Sequence, residues 1–290
     1  MDLAEEFWYI SAVIYSKINP FMIRHFHMDK VGFFLRKIKR ARKIVVEGQQ
    51  FQLEPEVSTC FGRMIGGKYN EGETHTLLKR ILSRFDKIDL FVDVGSNIGE
   101  FLIDMASSGK VSRVIGFEPN PYCVKSCLTS VEFNRLNNVD VRQLVLNDSS
   151  EPVRFDMGGE NAHLHSFLTP PPEAEVVNSS TMDDEIHDSD VKAIVLIDVE
   201  GAEPLVMAGG KNFIGQNLPF IIFEYNEVSK AHFSLDDIRK TLPTGYEIFR
   251  LRMGERSLNG FLDSNLDQTY NCVAVHKNSP FYKPALELIR

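Results

Sequence analysis

From Leu90 onward, short apolar runs alternate with segments of helical periodicity, the pattern that predicts a parallel sheet covered on both faces. Strands are expected at Leu90–Val94, Val111–Phe117, Val139–Leu146, Ala193–Asp198, Phe220–Tyr225, Tyr246–Leu251 and Asn271–Val275. Helices are placed from caps and spacing. Pro119 and Pro121 suit the first turn of one reaching about Asn134, and Pro204 suits another near Glu203–Met207. The "SLDD" at Ser234–Asp237 resembles a capping box that uses Asp. Before this region, "KIVVEGQQFQLEP" reads as strand, turn and strand, and a helix begins near Glu71. Between the third and fourth strands an irregular insert, 147–182, has room for a β-ribbon at Val153–Asp156 with Glu175–Val177. It also holds a loop carrying Gly158, Gly159, His163 and His165, and inserts of this length are often functional.

The first 65 residues follow a different pattern. Between Arg24 and Lys43 the chain is strongly basic, with Val31, Phe34, Leu35, Ile38 and Ala41 on one helical face. Two readings stand: a helix packed on the body, or peripheral contact with an anionic membrane surface. The opening "MDLAEEFWYISAVIY" is acidic where a secretory signal is basic, and Lys17 and Pro20 cut its apolar run short of a membrane span. The division expected is therefore an N-terminal extension, 1–65, and an α/β domain, 66–290.

Composition narrows the function classes. With 43% hydrophobic and 25% charged residues, the 290-residue chain reads as a soluble globular protein with one sizeable core. A net charge of -8 argues against nucleic acid as a partner. The four cysteines, Cys60, Cys123, Cys127 and Cys272, are scattered without C-x-x-C spacing, as expected of reduced structural thiols in a cytoplasmic setting.

The candidate chemistry starts at "LFVDVGSNIGEF", where a buried strand exits through Gly95 and Gly99. An open parallel sheet binds its ligand beyond the carboxyl ends of its strands. The dinucleotide frame G-x-G-x-x-G falls on Gly95, Asn97 and Glu100, placing bulk and negative charge where a pyrophosphate must approach. S-adenosylmethionine (SAM) has no phosphate, and its sulfonium is cationic. The frame of Asp93, Gly95 and Gly99 suits it better, with Ser96 and Asn97 beside the methionine end. About 20 residues on, Glu118 ends the second strand, where a carboxylate binds ribose hydroxyls.

Six ordered segments, "FVDVGSNIG", "GFEPNP", "NRLNN", "STMDDEI", "LIDVEGAEPLVMAGG" and "FIIFEYN", together resemble the FkbM family of SAM-dependent methyltransferases over roughly Gly66 to Asn226. The resemblance implies a class I methyltransferase (Rossmann-like) fold, with a seven-stranded, mostly parallel sheet and helices on both faces. It further implies methylation of a hydroxyl, often on a sugar or natural product. Leu196 departs from it, standing two positions before Asp198, where family members commonly carry lysine.

Aligning two substrates for in-line methyl transfer is the protein's main task, and a general base assists a sugar hydroxyl. Asp198 and Glu200 at the end of the fourth strand, with Glu224 and Asn226 on the fifth, are expected to cluster there. Asp198 is the candidate base, Glu200 and Glu224 bind the acceptor, and His163 and His165 are alternative bases. Capping of the following helix competes for Glu200 and Glu203. Asp148, after the third strand, is the candidate for the adenine amino group, against a plain turn role. Oxygen ligands of this kind hold Mg²⁺ or Ca²⁺ in other settings, yet no ligand loop is visible, and no metal is assigned. A NAD-linked oxidoreductase and a non-catalytic SAM-fold binding module are the alternatives. The partner expected is a small-molecule or glycan acceptor.

Overall fold

The structure, a computed structural model, describes residues 42–57, 64, 67–156, 172, 174–251, 262–263 and 271–288. The basic segment at 24–43 thus lies almost wholly outside the described residues, as do His163, His165 and Cys60.

The chain enters as a hairpin, β1 (Arg42–Val46) and β2 (Gln49–Leu53), paired antiparallel. Its two-residue turn has positive φ at both Glu47 and Gly48, the handedness that matches strand twist. On its far side the chain donates N–H bonds from Gln50, Gln52 and Glu54 to Asn134 Oδ1, Ser130 Oγ and Ser126 Oγ at 2.9, 2.8 and 3.0 Å. Two strand residues rise about 6.8 Å and four helix residues about 6.0 Å, so the two ladders keep step.

Next come α1 (Gly72–Leu82), β3 (Ile88–Val94), α2 (Glu100–Ser107), β4 (Val111–Phe117), α3 (Pro121–Phe133) and β5 (Val139–Arg142). The insert supplies β6 (Val145–Leu146), β7 (Val153–Phe155), β8 (Glu175–Val177), β9 (Ser179–Ser180) and α4 (Met182–Glu185). The rest is β10 (Ala193–Ile197), α5 (Glu203–Ala208), α6 (Lys211–Asn217), β11 (Phe220–Glu224), α7 (Glu227–His232), α8 (Leu235–Thr241), β12 (Tyr246–Leu251), β13 (Leu262–Asp263), β14 (Asn271–His276) and α9 (Tyr282–Leu286).

The main sheet has the order β13-β12-β14-β11-β10-β3-β4-β5, the seven expected strands plus the two residues of β13. It is parallel from β11 to β5, and β14 runs antiparallel between β11 and β12. Central strands such as "AIVLI" are apolar throughout because both faces are covered. One layer packs α1, α2, α3 and α9 through Leu77, Leu102, Cys127 and Ala285. The other packs α5, α6 and α8 through Met207, Ile214 and Ile238. Strand order reverses beside β3, opening the crevice between β3 and β10 where such sheets bind ligands.

One expected strand is divided. Val139–Leu146 splits because Leu144 N–H bonds the Arg142 carbonyl, turning the chain out of the sheet. Val145–Leu146 then pairs in parallel with Ser179–Ser180 instead. The β-ribbon is present as β7 and β8, and Ser234 and Asp237 form the expected capping box. Among the described residues no helix is long and apolar enough to cross a membrane.

Candidate active site

The exit from β3 is held by its neighbours on both sides. The N–H groups of Gly95 and Ser96 both donate to the Phe117 carbonyl at the end of β4. Gly95 has φ +85, and a Cβ there would overlap the Asp198 carbonyl oxygen, so only glycine fits. Gly99, also left-handed, caps α2 against Cys127 Sγ. Glu118 sits 7% exposed and accepts from Asn97 N–H and Asn120 N–H, both at 2.8 Å. Burial raises its carboxyl to about 7, against the pull of those two bonds. Asp93 is 1% exposed, with the Leu102 N–H beside it but no carboxylate hydrogen bond of ordinary geometry, and the buried Ser96 Oγ has no protein partner. Burial, and then the Glu118 charge, push Asp93 up to about 8. Orphaned buried polar atoms beside a glycine turn and a carboxylate with lone pairs to spare fit a cofactor rich in hydroxyl and amino groups.

The neighbouring strands bring the second group together. Register places Ile197 beside Phe223 and Glu224 beside Asn271, so Asp198, Glu224 and Asn271 line one small cleft with Glu71. Leu196, Ile222 and Phe101 form its apolar wall. One carboxylate oxygen each from Asp198, Glu200 and Glu224 lie within 4.8 Å of one another. Burial, then the charges of Glu224, Glu71 and Glu200, hold Asp198 well above the usual carboxylate range. Burial and the Glu200 charge push Glu224 up to about 8. Glu203 takes the structural role its position allows, accepting from Val199 and Gly201 N–H and fixing the turn before α5. Asn226 Oδ1 likewise accepts from Ser229 N–H, so this amide caps α7.

Two contributors at this site, Glu71 and Asn271, escaped the sequence reading. Asn271 Nδ2 donates to Glu71 Oε2 at 2.7 Å and to Thr74 Oγ1 at 3.0 Å. No local spacing signals this pair, which is 200 residues apart. Nearby His75 is stacked between Tyr69 and Phe101 at 3.8 and 4.3 Å. Burial opposes its charge, yet the bonds its ring nitrogens make to the carboxylates of Asp104 at 2.6 Å and Glu100 at 3.1 Å raise its pKa. Glu100 also accepts from Asn70 N–H, so the first residue of α2 fastens the segment that carries Glu71.

Asp93, Gly95, Ser96, Asn97, Gly99 and Glu118 therefore gather at one end of the crevice, and Asp198, Glu200 and Glu224 at the other. Asp148 joins neither group: its side chain is exposed, because the turn that ends β6 buries Asn147 in its place. Asn147 Oδ1 is a buried acceptor without a protein partner.

The Methyltransferase FkbM domain family model matches residues 93–256. Among solved structures, the methyltransferase FkbM from Methylobacillus flagellatus KT is 19% identical, with a TM-score of 0.46 over 65% of this chain and 44% of that one. The M. jannaschii TYW2, solved in complex with AdoMet, is 14% identical, with a TM-score of 0.44 over 81% of this chain and 84% of its own. Trm5b from Pyrococcus abyssi is 13% identical, with a TM-score of 0.41 over 81% of this chain and 54% of its own. The match thus spans less than half of the Methylobacillus protein. No curated protein sequence matches.

Proposed function

Because the chain belongs to the methyltransferase FkbM domain family, we propose that it methylates a hydroxyl group of a sugar, glycan or natural product, with SAM as cofactor. When bound, SAM supplies an electrophilic methyl group on a sulfonium sulfur. The observation that carries the reading is the carboxylate cluster of Asp198, Glu200 and Glu224 beside the glycine turn of β3. Glu118, fixed by two backbone N–H groups, keeps lone pairs for the ribose hydroxyls. Asp198, held well above the usual carboxylate range by burial and neighbouring acids, is the carboxylate placed to take a proton from a hydroxyl. Glu224 and the Glu71–Asn271 pair orient the acceptor, and Leu196, Ile222 and Phe101 keep water from that wall of the cleft.

The test is acceptor-dependent conversion of SAM to its demethylated product, screened over nucleotide sugars, glycans and natural products with free hydroxyls. Turnover with a hydroxyl acceptor is expected. Tight SAM binding without turnover across that panel would leave a binding module as the better account, and affinity for NAD in preference to SAM would overturn the cofactor assignment.

A further inference from the structure

We propose that Asp198, Glu200 and Glu224 bind one hard divalent cation, Mg²⁺ or Ca²⁺, on the acceptor side of the cleft. Nothing local in the sequence resembles a ligand loop. The three residues meet because β10 and β11 are neighbours and because the chain turns sharply after β10. Glu200 has φ +54 and Gly201 φ +108, and Glu203 holds that turn through the N–H groups of Val199 and Gly201. A non-glycine residue kept in the left-handed region is strain that the surrounding bonds must maintain.

The three carboxylates offer oxygens that all lie within 4.8 Å of one another. Opposite ligands stand about 4.8 Å apart around Ca²⁺ and about 4.2 Å apart around Mg²⁺, so the three carboxylates already converge to about the span of a Ca²⁺ shell and would close further around Mg²⁺. Glu224 supplies an independent sign. It is 8% exposed, and its Oε2 is buried with no hydrogen-bond partner. A buried acceptor of this kind calls for a ligand. Beside the cluster, Glu71 bonds Thr74 and Asn271, Glu203 holds the turn, and the Asn226 side chain bonds Glu224 without reaching its buried Oε2.

An all-oxygen set selects a hard cation over zinc or copper. Three side chains leave about half of an octahedral shell open, and those positions accept water or the oxygens of a polyhydroxylated acceptor. The placing of acceptor oxygens there rests on the methyl-transfer reading; binding of the ion does not.

The experiment titrates the full chain, freed of metal by a chelator, with CaCl₂ and with MgCl₂ by calorimetry in the absence of SAM and acceptor. One ion per chain is expected. Glu224→Gln and Glu200→Gln should each weaken binding by about 10-fold or more. Glu118→Ala should bind the ion like the unmodified chain while losing SAM affinity, so the cofactor reading and the cation site fail separately. If Glu224→Gln does not fold, Glu200→Gln, on a partly exposed turn, decides alone. In the acceptor assay, chelation should abolish turnover and either cation should restore it. Absence of binding at millimolar concentrations of both ions, or equal binding by the folded variants, overturns the proposal.

Discussion

The two ends of the crevice solve the burial of carboxylates differently. At the β3–β4 end, Glu118 is bonded to two backbone N–H groups contributed by residues within about one turn of the glycine motif and the strand end. At the β10–β11 end, Asp198 and Glu224 face other acids, and one Glu224 oxygen has no partner. Backbone donors cannot move away, so the first end is a preformed rigid cradle. Mutual repulsion leaves the second end dependent on protons or on what binds there. The cofactor end is thus built by local geometry and the acceptor end by assembly.

The sharpest way to break this comparison is Asp198→Asn, which keeps size and removes charge. Turnover should fall by about 10² to 10⁴, with SAM affinity unchanged; single-turnover methylation at saturating SAM and acceptor is the measurement. An unmodified rate in the folded variant would remove Asp198 from the reaction. On the opposite end, Glu118→Ala strands two backbone N–H groups and removes a charged acceptor. SAM affinity should drop by about 1.5 to 3 kcal/mol, roughly 10- to 150-fold, read by calorimetry, with kcat retained at saturation.

How much of this was legible follows from the same division. Asp93, Gly95, Gly99 and Glu118 fall within one strand–turn–helix–strand unit, so their spacing alone carried them. Gly95 also answers to a distant residue. It is bare because the Asp198 carbonyl presses on it, a contact between chain segments about a hundred residues apart. Asp198, Glu200 and Glu224 were readable as strand ends, but Glu71 and Asn271 were not, since only the β11–β14 register and the docking of α1 bring them there. The break at Leu144 was hidden because "VDVRQLVL" carries strand-forming Val and Leu on both sides of its polar pair, so it reads as one strand.

A milder change sharpens the acceptor end. Asn271→Ala removes the donor to Glu71, a bond worth about 0.5 to 1.5 kcal/mol. The acceptor KM should rise about 2- to 10-fold with kcat little changed, as for a residue that positions the acceptor. Equal losses in kcat and kcat/KM would instead place the pair in the transition state.

A separate effect falls on stability. Asp93 and Glu118 titrate at about 8 and about 7 in the folded chain, against about 3.9 and 4.3 when unfolded. Between those values the folded state holds more protons than the unfolded one, so stability falls as pH rises through that window. The Tm of the ligand-free chain should therefore decline between pH 5 and 8, and Asp93→Asn should flatten the decline. A slope identical in that variant would mean that Asp93 ionises normally.

The ladder that joins the hairpin to α3 also bears on how the chain stays apart from its copies. A two-stranded ribbon has two open edges, and an open edge is a template for pairing with another molecule. Along β2 that template is spent: the donors of Gln50, Gln52 and Glu54, which would otherwise recruit a strand from outside, are taken by Asn134, Ser130 and Ser126. Three polar side chains at every fourth helical position thus act as a strand's missing partner. Because Ser126 and Ser130 are fully buried, replacing them with apolar residues would strand those N–H groups against α3, loosen the hairpin from the helix and return the edge of β2 to solution, where it can pair with another copy.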